Sequence, residues 1–325
     1  MLSVKKNNQP SISIVIPVYN SQDCIEELLT QIMQNLNDSG IIFEVIFVDD
    51  KSMDNSWLIL KKCFEKYKVN ISLVKLSKNY GQDSAIMSGL KYTKNDFVVI
   101  MDDDLQHNPK YLEKLLEEVI KSNTDVCYAN FEKKEQTLLK NIGSWINDKL
   151  ANVVIKKPKE VYLSPFKIIS KKVIKAILQY DGPYPYIDGL IFRYTNNISQ
   201  IEIPHQKRYK GKGNYNLIKS ISVWLRVLTN FSILPLRLTT SLGLLSAFIG
   251  FTLAIYFIFL TINGDITARG WPSLIVTILF LGGIQLIGLG LIGEYVGRSF
   301  LYQNKEPQFL VDEYLKNDEK VRASN

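Results

Sequence analysis

The sequence predicts an α/β domain with a mostly parallel sheet, followed by two helices that cross a membrane. Short apolar runs alternate with helical patterns through the first 130 residues, and this alternation is typical of βαβ units. Further along, residues 238–262 and 271–293 form uncharged stretches of 25 and 23 residues, each long enough to cross roughly 30 Å of hydrocarbon. A chain of 325 residues with 46% hydrophobic content has room for both parts.

The alternation in the first part assigns individual elements. We predict strands over the apolar runs 12–18, 43–48, 71–76, 97–101 and 125–129. We predict helices over the periodic segments 23–37, 54–67, 82–92 and 109–121. Asn108-Pro109 is typical of a helix cap followed by proline at the first helical position, so the residues just before it form a strand-to-helix loop.

Polar clusters follow three of these strands. Tyr19-Asn20 follows the first strand, Asp49-Asp50 the second, and Asp102-Asp103-Asp104 the fourth. In open α/β sheets, ligands bind beyond the carboxyl ends of the strands, where all three clusters would meet. Helix capping alone explains Asn20 equally well, but it does not explain the three clusters together. Adjacent carboxylates repel one another, so a divalent cation or a cationic ligand is expected at this edge.

The usual phosphate-binding motifs are absent from the sequence. No P-loop lysine motif and no GxGxxG follows the first strand, which argues against a kinase or a dehydrogenase. Mg²⁺ or Mn²⁺ suits carboxylate and phosphate oxygens, and as a Lewis acid it would stabilise a departing nucleoside diphosphate. We therefore expect Mg²⁺ or Mn²⁺ as the cofactor.

The two uncharged stretches predict a membrane hairpin. Only the short loop 263–270 joins them, so their outer ends must lie on the same side of the membrane. The stretch 203–237 carries seven cations and no acid, namely Lys207, Arg208, Lys210, Lys212, Lys219, Arg226 and Arg237. The positive-inside rule therefore places both ends in the cytoplasm. A buried helical hairpin in a soluble protein is the alternative.

The basic stretch also predicts an interfacial helix. Apolar side chains recur at helical spacing from residue 217 to 231, and polar ones occupy the other face. Such a helix is expected to lie on anionic lipid; packing of the same face on the catalytic domain is the alternative. Because the formal net charge of +7 equals the seven cations of this one stretch, nucleic-acid binding is not indicated.

These observations divide the chain into four parts. We predict a cytoplasmic catalytic domain over residues 1–204 and a basic juxtamembrane segment with the interfacial helix over 205–236. The hairpin takes residues 237–293, and a cytoplasmic tail takes 294–325. We expect an integral membrane protein, with both termini and the catalytic domain in the cytoplasm.

Four motifs resemble family 2 glycosyltransferases with the GT-A fold, a Rossmann-like α/β domain. They are Ile16-Pro17-Val18-Tyr19-Asn20, Val48-Asp49-Asp50 with Ser52 and Asp54, Asn79-Tyr80-Gly81-Gln82, and the run from Met101 to Pro109. Three more resemble polyprenyl-phosphate glycosyltransferases, relatives of dolichyl-phosphate mannose synthase and of bacterial undecaprenyl-phosphate sugar transferases. They are Arg208 to Tyr215, Pro235-Leu236-Arg237, and Gly293 to Arg298. Lys51 departs from the family pattern, which has glycine there, and Ser164-Pro165-Phe166-Lys167 replaces the expected acid followed by Phe-Arg.

The resemblance implies a bacterial inner membrane as the location, and it implies roles for named residues. It implies that the nucleotide-sugar donor is bound by Pro17, Tyr19, Asn20, Asp49, Asp50, Asn79, Gly81, Gln82, Asp102, Asp103 and Gln106. It also implies that Asp102 and Asp104 are catalytic and hold the metal as a DxD pair. Arg208, Lys210 and Lys212 are expected at the acceptor phosphate. Asp188 is a candidate catalytic carboxylate on the acceptor side, with an ordinary turn role as the alternative.

The predicted function is the transfer of a sugar, expected from a UDP-linked donor, to polyprenyl phosphate at the cytoplasmic face, with inversion implied by the resemblance. A lipid monophosphate carries about −1.5 to −2 charges near neutral pH and is its own nucleophile, so a catalytic base is not required. Transfer to another lipid or glycan is an alternative, although the QxxRW motif of processive synthases is absent. A non-catalytic membrane scaffold that only binds nucleotide is a second alternative. The sequence leaves the oligomeric state open, a homo-oligomer included.

Overall fold

A computed structural model describes residues 9–67, 70–131, 158, 161–204, 234–263, 270–304 and 306–317. The strands are β1 (Ser11–Val18), β2 (Ile42–Asp49), β3 (Ile71–Leu76), β4 (Phe97–Ile100), β5 (Val126–Phe131), β6 (Lys167–Ser170), β7 (Ile198–Ile203) and β8 (Val311–Lys316). The helices are α1 (Ile25–Leu36), α2 (Ser56–Lys66), α3 (Gln82–Leu90), α4 (Leu112–Lys121), α5 (Lys171–Ile177), α6 (Ile187–Tyr194), α7 (Leu234–Ile262) and α8 (Trp271–Gln303). A 3₁₀ turn, Pro109–Tyr111, leads into α4.

The strands form one mixed sheet of eight, in the order β7-β5-β6-β4-β1-β2-β3-β8. Neighbours β4, β1, β2 and β3 are parallel, as are β5 and β7, whereas β6 and β8 pair antiparallel with their neighbours. The α/β prediction with a mostly parallel sheet is confirmed. The five predicted strands form β1 to β5, while β6, β7 and β8 were not assigned from the sequence.

One face of the sheet is covered by α1, α2 and α4. On α1 the buried side chains are Ile25, Leu28, Leu29, Ile32, Met33 and Leu36, a spacing that forms one apolar stripe. They pack with inward residues of the central strands, among them Ile14 and Phe47, into the main hydrophobic core. The strands are buried on both faces, so they read as continuous apolar runs rather than alternating ones.

The opposite face is contacted by α3, whose position depends on Gly89. A Cβ added there would lie 2.5 Å from Val15 Cγ1 and 2.9 Å from Val48 Cγ2. Both valines are fully buried on central strands, where their stiff side chains have little room to shift, so glycine is favoured at this close approach. The close packing fixes α3 on β1 and β2, with its first residue, Gln82, at the edge where these strands end.

The chain divides into two compact units. One unit combines the described residues up to 204 with those from 306 onward, and the other contains α7 and α8. These two helices are 29 and 33 residues long and pack on each other. Two windows within them have a mean hydropathy of 1.4. Large apolar side chains stay uncovered, with Phe248 70% and Leu286 71% exposed, so the pair associates with a membrane.

The chain returns to the sheet after the two helices. β8 pairs antiparallel with β3, and the Ser77 amide donates to the Leu310 carbonyl at 2.9 Å just before the pairing begins. The rings of Tyr314 and Tyr92 stack at 4.3 Å between centroids. The segment that the sequence suggested only as a tail therefore supplies an edge strand, and α8 extends to Gln303.

Three predicted features lie outside the described residues. They are the interfacial helix near 217–231, the basic residues Arg208, Lys210 and Lys212, and most of the loop between the two long helices. Each stays a prediction.

Candidate active site

The loops after β1 and β2 hold each other in place. The Asn20 amide donates to Ser52 Oγ at 3.0 Å, and the Met53 amide donates to Asn20 Oδ1 at 2.8 Å. Asn20 and Lys51 both have left-handed backbones, with φ of 54° and 58°. Asparagine tolerates this conformation, but lysine adopts it rarely. Tyr19 follows β1 with its side chain exposed.

Asp49 and Asp50 have different roles although they are adjacent. Asp50 accepts the Tyr80 amide at 2.7 Å and the Gly81 amide at 2.8 Å, so both of its oxygens hold the loop before α3. Gly81 has φ of 90°, which favours glycine. Asp49 is fully buried, and its Oδ1 accepts the Ser52 amide at 3.2 Å.

The second oxygen of Asp49 is unsatisfied. Oδ2 has no hydrogen-bond partner among the described residues, and burial raises the pKa of this carboxyl group. Buried polar atoms are almost always paired. An oxygen left unpaired at the carboxyl end of β2 is therefore suited to accept a hydrogen bond from a ligand.

The carboxylate loop (Asp102–Asp104) begins directly after β4. Gln82 Nε2 donates to Asp102 Oδ1 at 2.7 Å, and the Tyr19 amide donates to Asp103 Oδ2 at 3.3 Å. The Gln106 amide donates to Asp104 Oδ1 at 3.1 Å. Hydrogen bonds therefore connect the loop to the end of β1 and to the start of α3.

Burial and mutual repulsion raise the pKa values of two carboxyl groups in this loop. Burial raises the pKa of Asp102 to about 7, with further contributions from the charges of Asp104 and Asp103. Burial also raises the pKa of Asp103 to about 6, against the hydrogen bonds that it accepts. A cation bound here would remove that repulsion. No three acidic, histidine or cysteine side chains among the described residues form a group that could hold a metal, so the donor set suits an ion that keeps phosphate or water ligands, as Mg²⁺ does.

His107 is a buried residue that contacts the carboxylate loop. Its Nδ1 accepts the Asp102 amide at 3.0 Å. The ring is buried and stacks on Phe131 and Phe166, with centroids 5.5 and 5.3 Å apart. His107 therefore has a packing and hydrogen-bonding position in the structure.

Asp188 lies in the first turn of α6 and is held by residues of β5 and β6. Lys167 Nζ donates to Asp188 Oδ1, and the Tyr128 hydroxyl donates to the same oxygen at 2.8 Å. Desolvation raises the pKa of nearby Asp83, which is partly buried, to about 6, and Asp83 accepts the Ile187 amide at 3.1 Å.

The structure thus brings together most of the residues that the resemblance implied. Tyr19, Asn20, Asp49, Asp50, Gly81, Gln82 and the carboxylate loop meet at one edge of the sheet. Pro17 is buried within β1, Asn79 is exposed in the loop before α3, and Gln106 contributes its amide. Sequence reasoning missed Asp83, Tyr128 and Lys167. A lysine inside the apolar run from Phe166 to Ile169 was the available signal for the last of these.

Comparison with known proteins gives the class and then the family. The fold is that of GT-A enzymes: it superposes on glucosyl-3-phosphoglycerate synthase from Mycobacterium tuberculosis, solved with Mn²⁺, UDP and phosphoglyceric acid, with a TM-score of 0.52. That match has 16% identity and covers 68% of this chain and 76% of the other. The sequence model of "Glycosyl transferase family 2" matches residues 13–178. The chain belongs to this family.

Two similar proteins extend over nearly the whole chain. An uncharacterized glycosyltransferase of Synechocystis is 31% identical over 307 residues, covering 93% of this chain and 95% of the relative. The undecaprenyl-phosphate 4-deoxy-4-formamido-L-arabinose transferase of Edwardsiella ictaluri is 29% identical over 307 residues, covering 94% of each. The similarity thus includes the two long helices as well as the catalytic domain.

Proposed function

We propose that this chain transfers a sugar from a nucleotide-linked donor, with UDP as the nucleotide, to polyprenyl phosphate. The proposal rests on the order in which the candidate site residues follow one another across the strands of the sheet. The donor loops follow β1, β2 and β3, Asp102 follows β4, and Asp188 is held from β6 and β5. A donor bound over the first three strands would have its reacting carbon near Asp102, with the acceptor entering on the Asp188 side.

Two residues are suited to the nucleoside. Asp49 offers its unpaired, buried Oδ2 to an N–H or O–H group of the base or ribose. The exposed ring of Tyr19 stands at the neighbouring strand end, where it can pack against a flat base. Asp50 acts indirectly, since both of its oxygens hold the loop before α3.

Asp102 and Asp104 are the residues that would hold Mg²⁺ or Mn²⁺, together with oxygens of the donor diphosphate. The bound ion would neutralise charge on the departing nucleoside diphosphate. Gln82 and His107 orient this loop by the hydrogen bonds that they make to Asp102. Their contribution is preorganisation, because the carboxylates need not move to meet the charge that develops.

The acceptor phosphate supplies its own nucleophile. One of its oxygens forms the new bond to the anomeric carbon as the bond to the diphosphate breaks, and no proton has to be removed. Arg208, Lys210 and Lys212 would bind the anionic head group. Most of the rate then comes from positioning and from stabilisation of the leaving group, and inversion follows from direct displacement.

The membrane topology is part of the proposal. Residues before α7 and after α8 belong to the same sheet, through β1 to β7 and β8. This connectivity supports a hairpin that crosses the membrane twice, with both flanks on the side of the catalytic domain. The seven cations before Arg237 favour the cytoplasm as that side.

Detergent-purified full-length chain, polyprenyl phosphate, Mn²⁺ or Mg²⁺ and a panel of radiolabelled nucleotide sugars test the proposal. We expect label to enter the organic phase with one donor. Asp104→Asn should lower this transfer by at least about 100-fold. Asp96→Asn is the matched control, because Asp96 lies at the other end of β4 and its side chain accepts a single surface hydrogen bond from the described residues, from Ser11 Oγ at 3.1 Å.

The outcomes separate the alternatives. Label in a lipid without phosphate, or in a glycan, would identify a different acceptor. Binding of nucleotide without turnover on any acceptor would favour the scaffold function. Equal loss of transfer in Asp96→Asn and Asp104→Asn would show that the carboxylate loop has no specific role.

A further inference from the structure

Lys167 is a buried cation on β6, close to the strand ends that carry the candidate site. Its side chain is only 4% exposed, and lysine is almost never this buried unless it is paired. The sheet register sets Lys167 between Ile100 of β4 and Tyr128 of β5. It therefore lies one strand away from the point where the chain leaves β4 for Asp102.

Lys167 and Tyr128 engage the same oxygen of Asp188. The ammonium group and the Tyr128 hydroxyl both donate to Oδ1, and the ammonium also lies 5.2 Å from the centroid of the Tyr128 ring. Oδ2 has no hydrogen-bond donor in the part of the chain that the structure describes, and the Asp188 side chain is 17% exposed. One oxygen is thus fixed, while the other remains available to a substrate.

The charge of Lys167 also reaches the metal side of the site. Burial raises the pKa values of Asp102 and Asp83, and the positive charge of Lys167 lowers both of them. Asp83 in turn accepts the amide of Ile187, the residue before Asp188. The ammonium group of Lys167 therefore acts electrostatically on Asp102, on the metal side of the site, as well as on Asp188.

We propose that Lys167, with Tyr128, is a positioning residue that fixes Oδ1 of Asp188, so that Oδ2 is turned to the acceptor side of the site. This inference rests on the proposed function, since it assigns the acceptor-side carboxylate of the same reaction. Without Lys167 the Asp188 carboxylate would be a partly buried charge held by a single hydrogen bond, and it would turn away from this position. The ion pair then acts on turnover of the acceptor and leaves donor binding unchanged.

A structural ion pair is the competing explanation, and a double variant separates the two. Lys167→Met leaves Asp188 uncompensated, so lost folding and lost positioning both predict low activity. Lys167→Met combined with Asp188→Asn removes both charges, and replacement of a buried pair by neutral groups often restores stability. If the pair is only structural, this double variant recovers activity; if Asp188 is positioned for the acceptor, it folds and stays inactive.

The experiment measures polyprenyl-phosphate-dependent transfer, UDP affinity in the presence of Mn²⁺, and thermal unfolding of full-length variants. We expect the double variant to unfold within a few degrees of wild type, to bind UDP within about twofold, and to lose about 100-fold in kcat. Tyr128→Phe should lose up to about tenfold. Lys167→Arg keeps a cation and should be several-fold more active than Lys167→Met.

The control and the refuting results are specific. Lys172→Met removes an exposed lysine, 3.9 Å from Asp125, on the helix that follows β6, and should match wild type. Transfer by the double variant within about threefold of wild type would overturn the positioning role but leave the proposed function intact. A wild-type chain that transfers no sugar to polyprenyl phosphate would overturn the proposed function, and this inference with it.

Discussion

Lowering the pH should weaken the binding of Mn²⁺ to the carboxylate loop, because the metal must displace a proton from Asp102. Burial and the neighbouring charges of Asp104 and Asp103 raise the pKa of Asp102 to about 7. The group is therefore mostly ionised at pH 8 and mostly protonated at pH 6. Competition with one proton scales the apparent dissociation constant by 1 + 10^(pKa − pH), which is about 1.1 at pH 8 and about 11 at pH 6. The apparent affinity for Mn²⁺ should fall about tenfold over this range.

The assay is the Mn²⁺ concentration that gives half-maximal transfer, measured at pH 8, 7 and 6 with the donor that the screen identifies. A nucleotide sugar is the right ligand, because its diphosphate has no oxygen that titrates in this range, whereas free UDP does. Mn²⁺ binding to the free donor at each pH provides the correction. A half-maximal Mn²⁺ concentration that is the same at pH 8 and pH 6 would refute the reasoning.

Two variants move the pH dependence in opposite directions. Asp103→Asn removes a negative charge that raises the pKa of Asp102, so the midpoint should shift to lower pH. Gln82→Ala removes the 2.7 Å hydrogen bond that favours the ionised form, so the midpoint should shift to higher pH. Shifts in the same direction for both variants would show that Asp102 is not the titrating group.

Three further predictions concern the framework of the site. Gly89→Ala should destabilise the chain by about 1–3 kcal/mol in thermal or denaturant unfolding, because overpacking against Val15 exceeds the gain in helix propensity. His107→Phe should keep the stacking but leave the partly buried Asp102 amide without its acceptor, which costs about 1–3 kcal/mol and weakens Mn²⁺-dependent turnover. Deletion of residues 306–317 should lower stability and promote aggregation in detergent, because it exposes the edge of β3.

Each of these predictions has a matched control. Ser88→Ala, one residue before Gly89, removes a buried hydroxyl group that has no described partner and should be neutral or stabilising. His107→Asn retains an acceptor and should outperform His107→Phe. Asp312→Asn breaks only the exposed 3.6 Å ion pair with Lys51 and should change stability by less than about 1 kcal/mol. A control as damaging as its variant would contradict the corresponding explanation.

The sequence predicted the parallel part of the fold because its signals are local. Apolar runs and helical periods in β1 to β5 and α1 to α4 can be recognised within a few turns of chain. β6 and β8 were missed because each is a short strand added antiparallel through contacts distant in sequence. β8 in particular alternates buried and exposed residues on an edge, which resembles an ordinary polar tail.

The candidate site likewise combines residues that the sequence predicts with residues that only the fold reveals. The carboxylate loop and Asp49-Asp50 were identified because charge at a strand end is visible in the sequence. The ion pair between Lys167 and Asp188 joins residues 21 positions apart across strand and helix, and only the fold reveals it. For Asp50 the sequence predicts contact with the donor, which stays a prediction, whereas only the fold reveals that its two oxygens hold the Tyr80 and Gly81 amides.

The position of β8 has a consequence for biosynthesis. The strand is translated after α7 and α8, so a nascent chain that has completed β1 to β7 still has an unpaired β3 edge. Unpaired edges are sites of wrong association. The catalytic sheet therefore reaches its full width only after both apolar helices have left the ribosome, which ties completion of the enzyme to delivery of its anchor.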